Sequence, residues 1–361
     1  MNKKAIIAMS GGVDSSVAAY IIKQRGYDCI GVTMKLFHNE DIGIQRSHTC
    51  CSLHDVEDAR SVAFLLDIPY YVFNFTEQFK ETVIDRFISA YENGMTPNPC
   101  IDCNKYLKFD ELFLRARQLD YDYVVTGHYA QIEFDEASQR YLLKKALDIS
   151  KDQSYVLYTM TQEQLAHALF PLGNMKKSEV RVLAEEQNLR NAEKPDSQDI
   201  CFVKRGRYTD FIEQYTGKLY PQGDFIDIAG NVLGHHNGII HYTLGQRKGM
   251  GVSFGKPMYV KDINPNNNTV TLSEESTLFT KKLTANKINL ISVAKFKNLM
   301  RLKARIRYRQ PEDWATVTQT DEDALVIEFD KPQRAVTKGQ AVVLYDDDYV
   351  VGGGIINGTF D

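Results

Sequence analysis

The 361-residue sequence has no apolar run approaching the roughly 18 residues that a bilayer-spanning helix needs. It also lacks the apolar length of a secretory leader, because Gly11-Gly12 cuts the short run in residues 1–12 before a leader core could form. These absences point to the cytoplasm and give no reason to expect a membrane partner. Cysteine is scarce: Cys29, Cys50, Cys51, Cys100, Cys103 and Cys201 are the whole complement. In a reducing compartment a long chain with so few makes no disulfide framework, so grouped cysteines suggest thiol chemistry or metal binding. Cys29, inside the apolar run 29–34, reads as a small buried hydrophobe. There is no internal repeat and no low-complexity tail. One further absence is local. The formal net charge of -4 weakly disfavours a polyanion, yet residues 277–310 contain no Asp or Glu while carrying Lys281, Lys282, Lys287, Lys295, Lys297, Arg301, Lys303, Arg305, Arg307 and Arg309. A block of one sign matters more to RNA than the whole-chain sum. The alternative is a solvated strand face in a domain that is acidic elsewhere.

What is present in the first half alternates between strand and helix. Residues 5–9 read as a short buried strand, and residues 15–25 as a helix with Val17, Ile21 and Ile22 on one face and Gly26 as its stop. Further strands are expected at 29–34, 70–75 and 121–126, and helices at 55–66 and 79–91. Such alternation gives an α/β fold, a Rossmann-like parallel sheet covered on both faces. From about Gly217 short alternating runs lie between Gly, Asn and Pro turns. Residues 258–263 and 269–272, joined by NPNNN, read as a hairpin. Runs at 302–308, 314–318, 324–329, 341–345 and 349–353 read as strands of a small antiparallel barrel or sandwich. The expected domains are 1–210, 211–275 and 276–361.

Ser10-Gly11-Gly12-Val13-Asp14-Ser15 falls between the first strand and the first helix. Backbone N–H groups and a helix N-terminus face an anion there, and the glycines allow its close approach. The GK[ST] ending of the Walker loop is missing. The bland alternative is a strand-to-helix turn capped by Asp14 or Ser15. The pattern resembles the pyrophosphate loop of the N-type ATP pyrophosphatases, which belong with the adenine nucleotide α-hydrolase-like folds. They cleave ATP to AMP and pyrophosphate while activating a carbonyl oxygen as an adenylate. The resemblance implies ATP contacts along Ala8, Met9, Ser10, Gly11, Gly12, Val13, Asp14 and Ser15, with Mg²⁺ on the phosphates. Met34 and Gly127 end two other strands, at the carboxyl edge where α/β ligands bind. By analogy Met34 touches the adenine, and Gly127 leaves room for adenine or ribose.

A Pro-rich loop, TPNPCIDCNK, opens a helix with Cys103 near its start and Lys105 beside it, both of which favour a thiolate. Cys201 sits far away in DSQDICF. The ordered series SGGVDSS, TPNPCIDCNKYLKF, VVTGHYA, KDQSYVLY, DSQDICFV, YTLGQRKGMG, RYRQ and Gly339-Gln340 spans nearly the whole chain. It is similar to the motif series of the bacterial tRNA-specific 2-thiouridylases. That resemblance implies a pyrophosphatase domain, a small central domain and a C-terminal antiparallel β-barrel. It implies 2-thiolation of the wobble uridine in tRNAs for Lys, Glu and Gln. Cys103 takes the nucleophile position and Cys201 the persulfide position, and the pair closes as a disulfide after turnover. Asn98, Pro99 and Cys100 fall at the target base, and His128, Lys151, Asp152, Gln153, Arg307, Tyr308 and Gln340 fall where the family contacts tRNA. The partners implied are tRNA and a persulfide donor, a cysteine desulfurase or a relay protein.

One departure stands out. The family pattern has Asp where this chain has Cys100; either Asp102 takes over the acid–base role or no carboxylate is needed. Cys100, Cys103 and Cys201 together raise a competing reading, an iron–sulfur cluster with one open iron. Cys50 and Cys51, with His48 and His54, read as a loop near the active site without a metal. Two other functional classes fit parts of the sequence: an adenylating enzyme of this fold acting on a small molecule, and a non-catalytic RNA-binding protein. The two cysteines and the basic segment weigh against the first, the intact loop against the second.

Overall fold

The computed structural model describes residues 3–37, 53–196, 200–203, 207–252 and 255–360. Its first sheet starts with β1 (Lys4–Ala8), β2 (Asp28–Lys35), β3 (Tyr70–Asn74) and β4 (Tyr123–Val125). The chain then makes a hairpin, β5 (Gln131–Asp135) and β6 (Arg140–Lys144), and returns as β7 (Ala168–Leu169). The order is β3-β2-β1-β4-β7, parallel throughout. β1 is apolar without alternation because both of its faces are covered. Ala5 and Ile7 pack into one core with α1 (Val13–Gln24) and α2 (Leu53–Leu65). Ile6 points the other way, into a core with α3 (Thr76–Phe79), α4 (Asp85–Glu92) and the helix that follows the Pro-rich loop. α3 and α4 form one rod through a π-helical stretch, Lys80–Ile84. The next rod runs through α5 (Pro99–Asp102), a π-helical Cys103–Glu111 and α6 (Leu112–Gln118). Two helices follow β6: α7 (Gln162–Ala166), closed by a capping box from Thr161 and Gln164, and α8 (Lys177–Glu186). The expected strands and helices of this half are all present, with ends moved by a few residues. Gly26 ends the first helix as expected, at φ +79°.

α9 (Tyr208–Thr216) leads into a sheet of β8 (Gly223–Ile226), β9 (Val232–His236), β10 (Tyr259–Asn264) and β11 (Thr269–Ser273), ordered β10-β11-β8-β9. β10 and β11 form the expected antiparallel hairpin. Phe225, Val260, Val270 and Leu272 give this unit its own core. The last sheet holds β12 (Phe279–Leu290), β13 (Met300–Arg305), β14 (Asp313–Asp321), β15 (Ala324–Arg334), β16 (Ala341–Asp346) and β17 (Tyr349–Phe360). Pairing of β12 with β17 closes these six strands into an antiparallel barrel, which decides between barrel and sandwich. β6 pairs with β17, so the β5–β6 hairpin extends the barrel's sheet from the first half of the chain.

β12, β5 and β6 went unrecognised in the sequence. β12 has few apolar residues and is broken by Lys287 at φ +50°, so it shows no clean alternation. The acid-free segment also looks different when folded. Lys282 pairs with Glu328 at 3.3 Å, Arg301 with Asp330, and Arg305 with Glu312 at 2.8 Å. The missing acid comes from neighbouring strands, so the local charge is smaller than the sequence suggests. Among the described residues no helix is long and apolar enough to cross a membrane. His48, Cys50 and Cys51 lie outside the described residues; His54 stands in the first turn of α2, 3.6 Å from Glu57.

Candidate active site

β1 hands the chain to the glycine loop at the point where the sheet continues to β2 on one side and β4 on the other. A ligand crevice opens at such a switch point. The Met9 N–H donates to the Val32 carbonyl at 2.8 Å, and the Thr33 hydroxyl donates to the Met9 carbonyl at 2.6 Å, which holds the end of β1 straight. Gly11 then turns at φ +76°, and a side chain there would strike the Asp55 carbonyl. Ser15 Oγ accepts from the Ser10 N–H at 3.2 Å and donates to the Gly12 carbonyl at 3.0 Å. Gly12 is the N-cap of α1, and no side chain caps the helix. Neither Asp14 nor Ser15 serves as the cap of a plain turn. The first-turn N–H groups stay available to an anion.

Two lysines from a distant segment fix the loop. Lys177 reaches Asp14 at 2.7 Å and Asp196 at 2.7 Å, and Tyr129 donates to Asp14 at 2.8 Å. Lys194 pairs with Asp55 at 2.5 Å and Asp58 at 2.9 Å and donates to the Gly11 carbonyl at 3.1 Å. Burial works against the charge on Asp196, but bonds from Lys151 and Lys177 outweigh it and hold its pKa at about 2. Neither Lys177 nor Lys194 was singled out in the sequence. Both lie more than a hundred residues from the loop and share no motif with it.

A cavity of about 370 Å³ adjoins the loop. Ala8, Met9, Ser10, Asp14, Ser15, Met34 and Gly127 line it, and so do Pro99, Cys100, Cys103 and Cys201. The nucleotide residues and the three candidate thiols therefore share one space. Gly127 also meets a need that the sequence did not show. A Cβ there would lie 2.8 Å from Asp14 C and from Ser15 N, so the glycine makes room for α1 itself. Cys201 is held in place by its neighbour. Phe202 is buried at 1% exposure among Phe79, Phe87 and Phe211, with ring centroids 5.1–5.7 Å away. Burying such a ring contributes roughly 1.5–3 kcal/mol.

Asn98 caps the helix of the Pro-rich loop by accepting from the Cys100 N–H at 3.2 Å, and Pro99 stands at the first helical position. The barrel steadies this loop. Gln340 Nε2 donates to the Thr96 carbonyl at 2.8 Å and the Pro97 carbonyl at 3.3 Å, and the Thr96 N–H donates to the Lys338 carbonyl at 3.0 Å. Cys103 is half-buried, and burial pushes its thiol up. The sequence-based expectation of a thiolate from the helix start and Lys105 is thus opposed by desolvation. Lys105 lies over the Tyr106 ring at 5.1 Å; the cation that acts on the sulfur is Lys108. Asp102 is 3.5 Å from Arg86, its carboxyl is raised by burial, and it does not line the cavity. Cys103 and Cys201 are not joined as a disulfide. Among the described residues no set of three His, Cys, Asp or Glu side chains converges as metal ligands. Cys100, Cys103 and Cys201 share the cavity.

The residues expected at tRNA divide into two groups. Lys151, Asp152, Gln153 and Tyr308 line a larger cleft of about 790 Å³, together with Arg309; Ser10, Asp14 and Gln153 belong to both spaces, so the two adjoin. Within the cleft Asp152 is buried, accepting from the Ala146 and Ser154 N–H groups at 3.1 and 3.2 Å. Its carboxyl is raised by desolvation. Its place is that of a loop anchor. Tyr308 donates to the Asp152 carbonyl at 3.2 Å. His128 and Arg307 stand apart from the cleft. His128 is 6% exposed and lines the smaller cavity. Arg307 donates to the Ala335 carbonyl at 2.6 Å and to the Thr337 hydroxyl at 2.9 Å.

A parallel sheet with an uncapped helix end at its switch point, and two separate thiols facing the same space, place the chain among α/β proteins with a thiol-lined site at the sheet's carboxyl edge. Residues 3–205 match the family described as tRNA methyl transferase HUP domain, residues 209–274 the PRC-barrel domain and residues 280–356 the aminomethyltransferase beta-barrel domain. The tRNA-specific 2-thiouridylase MnmA of Clostridioides difficile (strain 630) is 54% identical over 356 residues, covering 99% of this chain and 98% of that protein. The tRNA-specific 2-thiouridylase MnmA 1 of Thermoanaerobacter sp. (strain X514) is 52% identical, covering 98% of each. Among solved structures, the U34-tRNA thiolase NcsA from Methanococcus maripaludis overlaps with a TM-score of 0.36 and 16% identity over 59% of this chain and 65% of that one, too slight a likeness to argue from. The chain belongs to the family of bacterial tRNA-specific 2-thiouridylases.

Proposed function

We propose that this chain catalyses ATP-dependent 2-thiolation of the wobble uridine of tRNAs for Lys, Glu and Gln, releasing AMP and pyrophosphate. The observation that carries the reading is the single cavity lined by the phosphate loop and by both Cys103 and Cys201. ATP, as its magnesium complex, lays its phosphates against the first turn of α1. The uridine leaves its stack, at a cost of about a few kcal/mol that is smallest in a single-stranded loop. Asn98, Pro99 and Cys100 receive the base. Its C2 carbonyl oxygen attacks the α-phosphorus, and pyrophosphate departs. Cys201 carries a persulfide taken from a donor protein. The outer sulfur bonds to C2 as AMP leaves with the former carbonyl oxygen. The Cys103 thiolate then attacks the Cys201 sulfur, so the S–S bond breaks and 2-thiouridine is released. A Cys103–Cys201 disulfide remains, and a thiol reductant returns the two electrons.

The tRNA body spans the larger cleft, with Lys151, Gln153, Tyr308 and Arg309 along its wall. His128 and Gln340 support the cavity and the Pro-rich loop from behind, and Arg307 supports the barrel wall. The test is pyrophosphate release with and without tRNA, followed by mass spectrometry of the nucleosides. A tRNA-stimulated release with 2-thiouridine in the product is expected. Release stimulated by a small molecule and indifferent to tRNA would overturn the proposal.

A further inference from the structure

Cys103 and Lys108 are five residues apart, a spacing that leaves two side chains on different faces of an α-helix. Here the helix is π-helical from Cys103 to Glu111, and its wider turn brings i+5 closer to the face of i than an α-helix does. Both side chains line the cavity that also holds Cys201. Lys108 has a defined seat. Its Nζ is 3.3 Å from His128 Nε2, and His128 Nδ1 is 2.7 Å from the Thr126 hydroxyl. An ammonium can only donate, so Nε2 accepts and Nδ1 carries the proton and donates to Thr126 Oγ1. Burial, and the Lys108 charge after it, keep His128 neutral by lowering its pKa well below the ordinary value. Among the described residues no carboxylate forms an ion pair with Lys108.

We infer that Lys108 is a positioning residue for sulfur transfer: the π-helical turn and His128 hold its ammonium on the side of Cys103, so that Cys103 reacts as a thiolate although it is half-buried. Few groups compete for this sulfur. On its own helix Cys100 and Asp102 raise the thiol and Lys108 lowers it. Arg86, from the neighbouring rod, pairs with Asp102. Across the cavity stand Cys201, the neutral His128 and Asp14, whose charge Lys177 takes up. The proton lost by Cys103 passes to water. The π-helical stretch thereby acquires a purpose, since an α-helical turn would swing the cation away from the sulfur. The inference deepens the thiolation reading, because it supplies the thiolate that releases 2-thiouridine, but its test needs neither tRNA nor a sulfur donor.

The full chain is alkylated with iodoacetamide across a pH series, and Cys103 is followed by peptide mass spectrometry, whose fragment ions separate it from Cys100. Lys108→Met is expected to raise the pH midpoint of Cys103 alkylation by roughly one unit, as loss of a nearby opposite charge does. Lys108→Arg keeps the charge and is expected to keep most of the shift, while the Cys29 midpoint stays put in both. An unchanged Cys103 midpoint in Lys108→Met, or a rise in Lys108→Arg as large as in Lys108→Met, overturns the inference. Either result leaves the thiolation reading standing, because that reading is tested by tRNA-stimulated pyrophosphate release and by sulfur gained in tRNA.

Discussion

Replacing Gly127 by alanine puts a methyl group where the chain has no room. An ideal Cβ lies 2.8 Å from Asp14 C and Ser15 N and 3.1 Å from Asp14 Cβ. Carbon atoms in good contact are about 3.5–4.0 Å apart. The nearest atoms belong to the main chain of the first turn of α1, so no side-chain rotation relieves the clash, and the turn must retreat by roughly the difference. Forcing extra carbon into a packed site costs about 1–3 kcal/mol. Some of that falls on stability and the rest displaces the N–H groups that face the phosphates. If about 1.4 kcal/mol reaches the nucleotide, ATP affinity drops about tenfold. Calorimetric titration with ATP and thermal unfolding read the two parts. Gly12→Ala is the contrast for stability, because a Cβ there meets only Ser10 Oγ at 3.5 Å and the Tm should hold. A Gly127→Ala protein with unchanged Tm and unchanged ATP affinity would refute the close approach.

Other outcomes follow from the same geometry. Cys100→Asp is expected to keep 2-thiouridine yield in a nucleoside assay, since the proposed persulfide relay uses Cys103 and Cys201 alone; loss of activity together with bound iron would contradict this. Arg309 lines the cleft and has no ion pair among the described residues, so Arg309→Ala should reduce the salt slope of tRNA binding by about one counterion; an unchanged slope would take it out of the interface. Asp196 has a folded pKa of about 2, below its ordinary value near 3.8, so its stabilisation is complete at neutral pH and is lost as pH falls through about 2. The urea midpoint should therefore separate wild type from Asp196→Asn at pH 7 and separate them less at pH 3.

The α/β half was readable in the sequence because its signals are local. Glycines mark Gly11-Gly12 and Gly26, and the apolar runs of β1 and β2 end where ligand-facing loops begin. The barrel was readable strand by strand except at β12, where Lys287 at positive φ interrupts the pattern, and at the β5–β6 hairpin, which pairs with β17 at the far end of the chain. The cysteines and the phosphate loop were recognised from motifs, and the fold brings them to one cavity. What sequence reasoning missed is the ionic frame. Lys177 and Lys194 reach Asp14 and Asp55 across more than a hundred residues, and no local pattern carries that information. Lys108 was missed for another reason: its distance from Cys103 fits neither helical nor strand periodicity until the turn is π-helical. Asn98 and Gln340 were expected at the RNA, and the sequence did not show that their hydrogen bonds also hold the Pro-rich loop.

The central claim is that one cavity joins nucleotide activation to sulfur transfer by two thiols. It is tested most directly by Cys103→Ser and Cys201→Ser, each assayed for ATP binding and for 2-thiouridine formed from tRNA, ATP and a persulfide donor. Both variants should bind ATP as the parent does, because neither side chain belongs to the phosphate loop. Both should yield no 2-thiouridine. Full yield from either one would contradict the account.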